Sequence, residues 1–267
     1  MNTLQPQIPF RFAMTSISHA KIKFVKSLKS KKYRKKHGAF VIEGLKAIST
    51  MIEAGFRPQY LIQLSGLDIS SMSEQDIYVA DEKTMKSLTS FVVIPDVIGL
   101  FEMPAAPQLQ DLEGINQHLL FLDRIQDPGN LGTIIRTADW YGVEHIICNE
   151  GCADPYNPKV LQATMGSHAN VMVYSSEFES ASKLLKNHIK VALDMDGVQK
   201  LPSVYAESPA LLIVGNEGQG LSEAIRSDVD LQLHLAKVGG SHAESLNAAV
   251  ALAIGLDRLI QFTKLPH

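Results

Sequence analysis

Residues 118–143 read HLLFLDRIQDPGNLGTIIRTADWYGV and contain the strand, turn and helix that decide the fold. The almost continuously apolar run HLLFL at 118–122 is typical of a strand that is buried on both faces. The Asp-Pro-Gly-Asn sequence at 127–130 predicts a turn, and apolar residues then recur at helical spacing from Leu131 to Ala138. A strand of this kind followed by an amphipathic helix predicts a parallel sheet covered by helices.

The same alternation of strand and helix continues to the C-terminus, which predicts an α/β fold with a parallel sheet and helices on both faces. In such sheets, ligands bind in the loops that follow the carboxyl ends of the strands. The predicted strands are His118–Leu122, His145–Asn149, Val171–Tyr174, Lys190–Asp194, Ala210–Val214 and Leu231–Leu235. The predicted helices are Leu131–Tyr141, Pro158–Met165, Glu177–Asn187, Leu221–Ser227 and Ser245–Phe262.

A smaller α/β domain of about 90 residues is predicted before this part. Its predicted helices are Ser18–Leu28 and Gly44–Ala54, and its predicted strands are Ala39–Glu43, Gln59–Gln63, Asp76–Val79 and Phe91–Leu100. The stretch Met103–Gln117 has two prolines and no clear period, so a linker is expected there. The expected domains are 1–106 and 118–267, with residues 107–117 as the linker.

The composition excludes several classes of protein. With 267 residues, 45% hydrophobic and 20% charged, the chain can bury a sizeable core and is not a disordered protein. No apolar run approaches the roughly 20 residues that span a bilayer, and the N-terminus lacks the apolar core of a signal peptide. Two cysteines cannot form a disulfide framework, so we expect a cytoplasmic protein. Neither cysteine has partners at zinc-ligand spacing, and we expect no metal.

Charge is divided unevenly along the chain. The net charge is +5 over residues 1–106 and −8 over residues 107–267. Residues 21–36 contain nine Lys and Arg and no acid, whereas an ordinary exposed helix interleaves both signs. This basic stripe favours binding of a polyanion such as RNA over a merely solvated helix face. The candidate contacts in the stripe are Lys31, Lys32, Arg34, Lys35 and Lys36.

A glycine-rich turn follows a second buried strand in LLIVGNEGQGLS, residues 211–222. Such a turn lets backbone N–H groups approach a ligand closely. The glycines have the order G-x-x-G-x-G, which is not the dinucleotide fingerprint, and no Lys-Ser/Thr follows as in a phosphate-binding loop. Glu217 would repel a phosphate in this turn, and its alternative role is to cap the next helix. A phosphate ligand is therefore not predicted.

Two further segments contain candidate polar residues. Arg136 is the only basic residue between Arg124 and Lys159, and Asn130 precedes it in the same helical segment. As alternatives, Asn130 is a helix cap and Arg136 a surface charge. The segment 234–260 has a small-residue-rich helix, against which a backbone, a partner subunit or a cofactor would pack closely. Ser245 and Asn247 at its start are also good helix caps.

Together, NLGTIIRTADWYGV, LLIVGNEGQGLS and SLNAAVALAI resemble, in order and spacing, the three motifs of the SpoU (TrmH-like) RNA 2'-O-ribose methyltransferases. We call them motifs 1, 2 and 3. The segment SISHAKIKFVKSLKSKKYRKKHGAFVIEGLKAI is similar to the L30e-like substrate-binding domain of many rRNA-modifying members. The resemblance extends from about Ser16 to Phe262.

The resemblance implies an α/β domain with a C-terminal trefoil knot, a feature that no pattern argument would propose. It also implies a homodimer and S-adenosylmethionine as the methyl donor, held largely by backbone groups of motifs 2 and 3. A sulfonium cation suits a turn that contains Glu217 and no cation. Carried over to this sequence, the donor positions are Gly215, Asn216, Gly220, Leu235 and Leu246.

The resemblance implies methyl transfer to a ribose 2'-hydroxyl, with ribosomal RNA, most of all 23S, as the expected substrate. It gives the central role to Arg136, for which we predict a phosphate clamp that stabilises the developing alkoxide, because arginine does not deprotonate in proteins. Asn130 is expected to orient Arg136 or the ribose. The other catalytic candidates are Glu217, Ser245 and Asn247, and Lys159 is a further RNA contact.

This sequence departs from the family pattern at two places. Motif 3 opens with Leu-Ala-Lys-Val and a longer glycine-containing loop at 235–244, and Gln162 stands where many relatives have arginine. Three alternatives stay open: a tRNA methyltransferase, an inactive RNA-binding module and a nucleotide-binding oxidoreductase. The missing G-x-G-x-x-G disfavours the oxidoreductase, and the presence of the motif residues disfavours the inactive module.

Overall fold

The computed structural model describes residues 15–72, 75–198, 207–216, 218–236, 242 and 244–263. The chain divides into two compact units, Met1–Met103 and Pro104–His267.

The first unit contains a mixed sheet with helices packed on it. Its strands are β1 (Thr15–Ser16), β2 (Ala39–Glu43), β3 (Pro58–Leu64), β4 (Asp76–Ala80) and β5 (Val97–Glu102). Its helices are α1 (His19–Ser27), α2 (Lys31–His37), α3 (Leu45–Glu53) and α4 (Glu82–Leu88). Among the described residues the strand order is β1-β4-β3-β5-β2, in which β5 runs antiparallel to both of its neighbours.

The main differences from the predicted elements lie in this unit. Helices α2 and α4 were not predicted, because KKYRKKH and EKTMKSL are too polar and too short to show a clear apolar period. The predicted strand Phe91–Leu100 is wrong in its first half, since β5 begins only at Val97. Val92 and Val93, which suggested an extended buried segment, are instead exposed. The high β propensity of these valines was not sufficient to form a strand, because they are not buried against a sheet.

The second unit contains a parallel sheet of six strands among the described residues. The strands are β6 (Leu119–Asp123), β7 (His145–Cys148), β8 (Met172–Ser175), β9 (Ile189–Val198), β10 (Ala210–Gly215) and β11 (Leu231–Leu233). Their order is β11-β9-β10-β6-β7-β8, and every pair is parallel. The helices are α5 (Pro128–Trp140), α6 (Pro158–Thr164), α7 (Phe178–Leu184), α8 (Glu223–Arg226) and α9 (Ala248–Phe262). The predicted α/β fold with a parallel sheet is confirmed.

Apolar residues cover both faces of this sheet, as the continuous apolar strands predicted. One cluster joins the sheet to α5, α6 and α9, and includes Leu122, Ile135 and Leu252. The cluster on the other face joins it to α7 and α8 and includes Phe121, Ile213 and Ile225. The alternation of side chains along each strand sends neighbours to opposite clusters.

Part of the expected linker packs into the second unit. Residues Leu109–Leu112 form a short 3₁₀ helix, and Leu112 is fully buried in the cluster on the α7 face. The sequence pattern did not indicate this, because isolated leucines among polar residues have no period. Burial of Leu112 fixes the chain just before β6 enters the sheet.

Candidate active site

The carboxyl ends of β6 and β10 are adjacent, and the chain leaves them toward opposite faces of the sheet. Asp123 at the end of β6 is in register with Gly215 at the end of β10. Helix α5 follows β6 and packs on one face, whereas α8 follows β10 and packs on the other. This is the switch point at which open parallel sheets bind ligands. Motif 1 follows β6 beyond this point, and the glycine-rich turn of motif 2 begins there.

Motifs 1 and 3 meet at the starts of two helices. The Nδ2 of Asn247 donates to the Oδ1 of Asn130 over 2.8 Å. Asn247 caps α9, and its Oδ1 accepts from the backbone N–H groups of Ala249 and Val250. Asn130 does not cap α5, because Asp127 is its N-cap and accepts from the Asn130 backbone N–H at 2.8 Å. The contact brings together two of the predicted catalytic residues.

Arg136 lies in the third turn of α5. Its side chain is exposed, and no hydrogen bond or ion pair involves it within the part of the chain that the structure describes. Arg136 follows Asn130 by six positions in the helix, so the two side chains leave it about 120° apart. The oxygen of Asn130 is bonded to Asn247 and not to Arg136, so the ribose stays the expected partner of Asn130.

The glycine-rich turn of motif 2 is closed by its own backbone. Gly220 donates from N to the carbonyl of Asn216 at 2.8 Å, and the Oδ1 of Asn216 accepts from the N–H groups of Gly218 and Gln219. A Cβ on Gly215 would lie 2.7 Å from the carbonyl carbon and oxygen of Gly220. Gly215 is therefore required for the close approach of β10 to the Gly220 backbone. Gly220 has φ +65, which favours glycine.

The remaining predicted donor and catalytic positions differ in burial. Leu235 lies two residues beyond β11 and is half-buried, whereas Ser245 and Leu246 are exposed in the segment before α9. Helix α9 begins at Ala248, so Ser245 is outside the helix where we had placed it. Glu217 and residues 237–241 of the atypical loop lie outside the described residues.

An ion pair that the motifs did not reveal lies at the switch point. Asp123 has a fully buried side chain and accepts from the Nε and Nη2 of Arg124, both at 2.9 Å. It also accepts from Asn149 Nδ2 and from the Ser222 backbone N–H. Burial raises the pKa of Asp123, but these hydrogen bonds outweigh it and hold the pKa below its usual value. Asp123 is thus ionised at neutral pH. The Asp-Arg dipeptide in a predicted loop was the only sequence signal.

Cys148 is a core residue and not a nucleophile. It is buried at the end of β7. A hydrogen bond with Cys152 and burial raise the pKa of the Cys148 thiol. Since the thiolate is the reactive form of cysteine, Cys148 is unsuited to act as a nucleophile.

The basic stripe forms an exposed surface on α2 with one exception. Lys31, Lys32, Lys35 and Lys36 are exposed. Arg34 is only 2% exposed and donates from Nη1 to the carbonyls of Leu28 and Lys29, so it ties α1 to α2 and is wrong as an RNA contact. A helix with lysines on most sides has one side facing its own domain, and the sequence did not show which residue lies there.

Aromatic rings accompany these lysines. Tyr33 is partly exposed and lies nearly parallel to His37, with ring centroids 6.2 Å apart. In the second unit, Lys159 is also exposed, in the first turn of α6, which Asn157 caps.

No helix in the described ranges is long and apolar enough to cross a membrane. Within the same ranges, no group of three or more His, Cys, Asp and Glu side chains is arranged to hold a metal ion.

Comparison with known protein families gives two matches that together extend over most of the chain. Residues 117–257 match the SpoU rRNA Methylase family. Residues 19–92 match the MRM3-like substrate binding domain.

Relatives match over nearly the full length. The chain is 33% identical to the 23S rRNA (guanosine(2553)-2'-O)-methyltransferase RlmP of Bacillus subtilis, over 90% of this chain and 95% of that protein. It is similar to the crystal structure of an AdoMet-bound rRNA methyltransferase from Sinorhizobium meliloti, with a TM-score of 0.82, 28% identity and coverage of 92% and 96%. A TrmH-family RNA methyltransferase structure from Porphyromonas gingivalis gives a TM-score of 0.78 at 31% identity, with coverage of 92% and 98%.

Proposed function

We propose a role in the modification of 23S ribosomal RNA for this chain, which belongs to the SpoU rRNA methylase family and is an S-adenosylmethionine-dependent RNA 2'-O-methyltransferase. The full-length relative that methylates a 23S rRNA guanosine supports this substrate. The observation that carries the proposal is the meeting of the motifs at one edge of the sheet. Asp123 and Gly215 are in register there, and Asn130 bonds to Asn247.

The residues of motifs 2 and 3 suit this donor. The turn at 215–220 offers backbone groups, and Leu235 and Leu246 offer partly exposed apolar side chains for an adenosyl group. Gln232 is level with Ala192 of β9 and Ile213 of β10, so β11 and β10 are parallel and their carboxyl ends lie on the same side of the sheet. Two described cations lie at the turn, Arg124 and Arg226. They are paired with Asp123 and Asp194, so their charges do not oppose a sulfonium. When bound, the donor supplies a methyl group on a positively charged sulfur.

The polar residues of the motifs divide into two roles in this proposal. Arg136 holds a phosphate of the substrate RNA and stabilises the negative charge that develops on the ribose 2'-oxygen while the hydroxyl proton passes to solvent water, because its fork of donors stays charged. Asn130 and Asn247 fix the starts of α5 and α9 against each other and so hold motifs 1 and 3 at one spacing. Ser245 and Glu217 complete the set of catalytic residues that we propose.

The proposal extends to the organisation of the chain. Residues 1–106 form an L30e-like RNA-binding domain and residues 118–267 the methyltransferase domain, joined by 107–117. The described topology, in which β10 lies between β9 and β6, is compatible with the C-terminal trefoil knot that we propose. A cytoplasmic location follows from ribosomal RNA as the substrate. No residue requires a metal ion in this scheme.

RNA is proposed to bind the exposed face of α2, with Lys159 as a second contact. Replacing Lys31, Lys32, Lys35 and Lys36 by Ala is expected to weaken RNA binding, because fewer counterions are released when RNA binds. The slope of log K against log salt is expected to fall by about 0.7 to 0.9 for each phosphate that the variant no longer neutralises. Fluorescence anisotropy with a labelled rRNA fragment at several salt concentrations measures both effects.

The matched control for this variant is Lys46→Ala with Lys83→Ala, which removes exposed lysines of the same domain outside α2. Donor affinity is expected to stay at the parent value in both variants. An unchanged RNA affinity and salt slope after the fourfold replacement would make the stripe a solvated helix face.

A homodimer is proposed through α9. Val250 and Ile254 lie one turn apart on this helix and remain 48% and 37% exposed, which leaves an apolar stripe uncovered in the single chain. The double variant Val250→Asp, Ile254→Asp is expected to be monomeric, because burying unpaired carboxylates costs several kcal/mol. Light scattering after size exclusion should then give 29.3 kDa instead of twice that mass.

Val92→Asp with Val93→Asp is the control, since these exposed valines lie outside the proposed interface. It is expected to stay dimeric. A parent that is itself monomeric at micromolar concentration would contradict the proposal.

The substrate is tested by mapping 2'-O-methylated riboses in total RNA from cells that lack the gene. Loss of one 23S rRNA site, restored by the parent chain and not by an Arg136→Ala variant, is the expected result. Loss of 2'-O-methylation at a tRNA site, with every ribosomal RNA site still methylated, would show that the substrate is tRNA and not ribosomal RNA.

A further inference from the structure

Arg124 has a backbone conformation that arginine rarely adopts. Its φ is +57, in the left-handed region, where the Cβ of a residue with a side chain comes too close to the following carbonyl oxygen. The one other described non-glycine residue with positive φ is Met165, which ends α6, where this conformation is common. Arg124 instead follows a fully buried strand directly. The strain at Arg124 thus calls for a reason outside helix termination.

The left-handed conformation lets Arg124 pair with the residue next to it. In a strand, successive side chains point to opposite faces of the sheet, so Asp123 and Arg124 would point apart. With the chain turned at Arg124, the guanidinium forms two hydrogen bonds of 2.9 Å to the buried Asp123 carboxylate. Gly151 makes room for this, since a Cβ there would lie 3.1 Å from the Cγ of Arg124.

The same guanidinium then reaches the glycine-rich turn of motif 2. Its Nη1 donates to Gln219 Oε1 at 2.7 Å, and its Nη2 donates to the carbonyl oxygen of Gly220 at 3.1 Å. The backbone carbonyl of Arg124 accepts from Asn216 Nδ2 at 3.0 Å. Asp123 accepts from the N–H of Ser222 at 2.9 Å. The turn is therefore attached at its start, its middle and its end to two consecutive residues at the carboxyl end of β6, Asp123 and Arg124.

We propose that Arg124 is a positioning residue that holds the 216–222 turn in the shape that binds the methyl donor, an inference that rests on the proposed donor site at this turn. The Asp123–Arg124 pair acts as a clasp between β6 and β10. A glycine-rich turn would otherwise sample many shapes. If the clasp is removed and one turn in ten has the binding shape, the apparent donor affinity falls about tenfold.

The test separates the clasp from the backbone strain. Arg124→Gly removes the guanidinium and relieves the left-handed strain, but it leaves the buried Asp123 carboxylate without its cation, so a lower melting temperature is expected. The variant is therefore compared with the parent well below its own melting temperature, where it is folded. The dissociation constant for S-adenosylmethionine, measured by calorimetry on the full chain, is expected to rise about tenfold. The donor KM should rise with it, while kcat at saturating donor changes much less. Arg124→Lys retains the charge but not the fork of donors, and should behave in the same way.

Hydrogen exchange gives a readout that a merely structural role would not move. In Arg124→Gly, the amides of Gly218–Ser222 should exchange faster while those of β6 and β10 keep their protection. Lys183→Ala, which breaks an exposed ion pair to Glu179 on α7, is the matched control and should alter neither affinity nor exchange. Parent-like donor affinity and exchange in folded Arg124→Gly and Arg124→Lys would overturn the clasp. A parent chain that binds no donor would instead overturn the proposed function.

Discussion

The Arg136→Ala variant is expected to lose 10²- to 10³-fold in the rate of methyl transfer, about 2.7–4 kcal/mol, as for removal of one oxyanion donor. The side chain of Arg136 is exposed and without a bonded partner in the described parts of the chain, so its removal breaks no described internal contact. The rate of methyl transfer should therefore fall, while the free energy of unfolding stays at the parent value. Single-turnover methylation of a 23S rRNA fragment, with enzyme and donor saturating, measures it.

Further measurements test whether the slower methyl transfer comes from the missing guanidinium. Arg136→Lys is expected to recover little of the rate, because an ammonium cannot reproduce a planar fork of donors. Donor affinity and molecular mass should match the parent. Lys186→Ala, an exposed cation near the end of α7 on the other face of the sheet, is the control and should react at the parent rate. Transfer at the parent rate by Arg136→Ala would show that Arg136 is a surface charge.

Acid is expected to destabilise the second unit through His168. Burial lowers the pKa of His168 from 6.5 to about 4, only partly offset by the charge of Asp154. Between these values the unfolded chain binds a proton that the folded chain does not. The free energy of unfolding therefore falls as the pH drops below 6.5 and levels off near pH 4. A shift of this size corresponds to about 3 kcal/mol from this one residue.

The His168→Phe variant isolates this contribution. The ring of Tyr156 meets that of His168 edge to face at 4.9 Å, a geometry that phenylalanine retains without a titrating group. Urea unfolding between pH 7 and pH 4 should show a smaller loss of stability in the variant. Burial also lowers the pKa of His145 and His188, so part of the acid sensitivity remains in both proteins. Parallel curves for parent and variant would contradict the prediction.

The periodicity of apolar residues was sufficient to predict most strands and helices of the second unit. Strands such as Leu119–Asp123 and Ala210–Gly215 were predicted within one or two residues, because a strand buried on both faces is apolar at every position. Helix α2 was missed because its residues are nearly all charged, and a helix with a single buried position has no apolar period. The burial of Arg34 was not predicted for the same reason, because no apolar period shows which side of α2 faces its own domain.

The fold class, the family and the motif residues could be predicted from the sequence, because each of them depends on the order and spacing of neighbouring residues. Which of those residues contact one another depends on the folded chain. The bond between Asn130 and Asn247 joins residues 117 positions apart, and the Arg124 contact with Gly220 joins residues 96 positions apart. No local pattern encodes such pairs, since they exist only where parallel strands bring their carboxyl ends to one edge. Asp123 and Arg124 are adjacent in sequence, yet their pairing depends on a left-handed backbone angle that arginine does not ordinarily adopt.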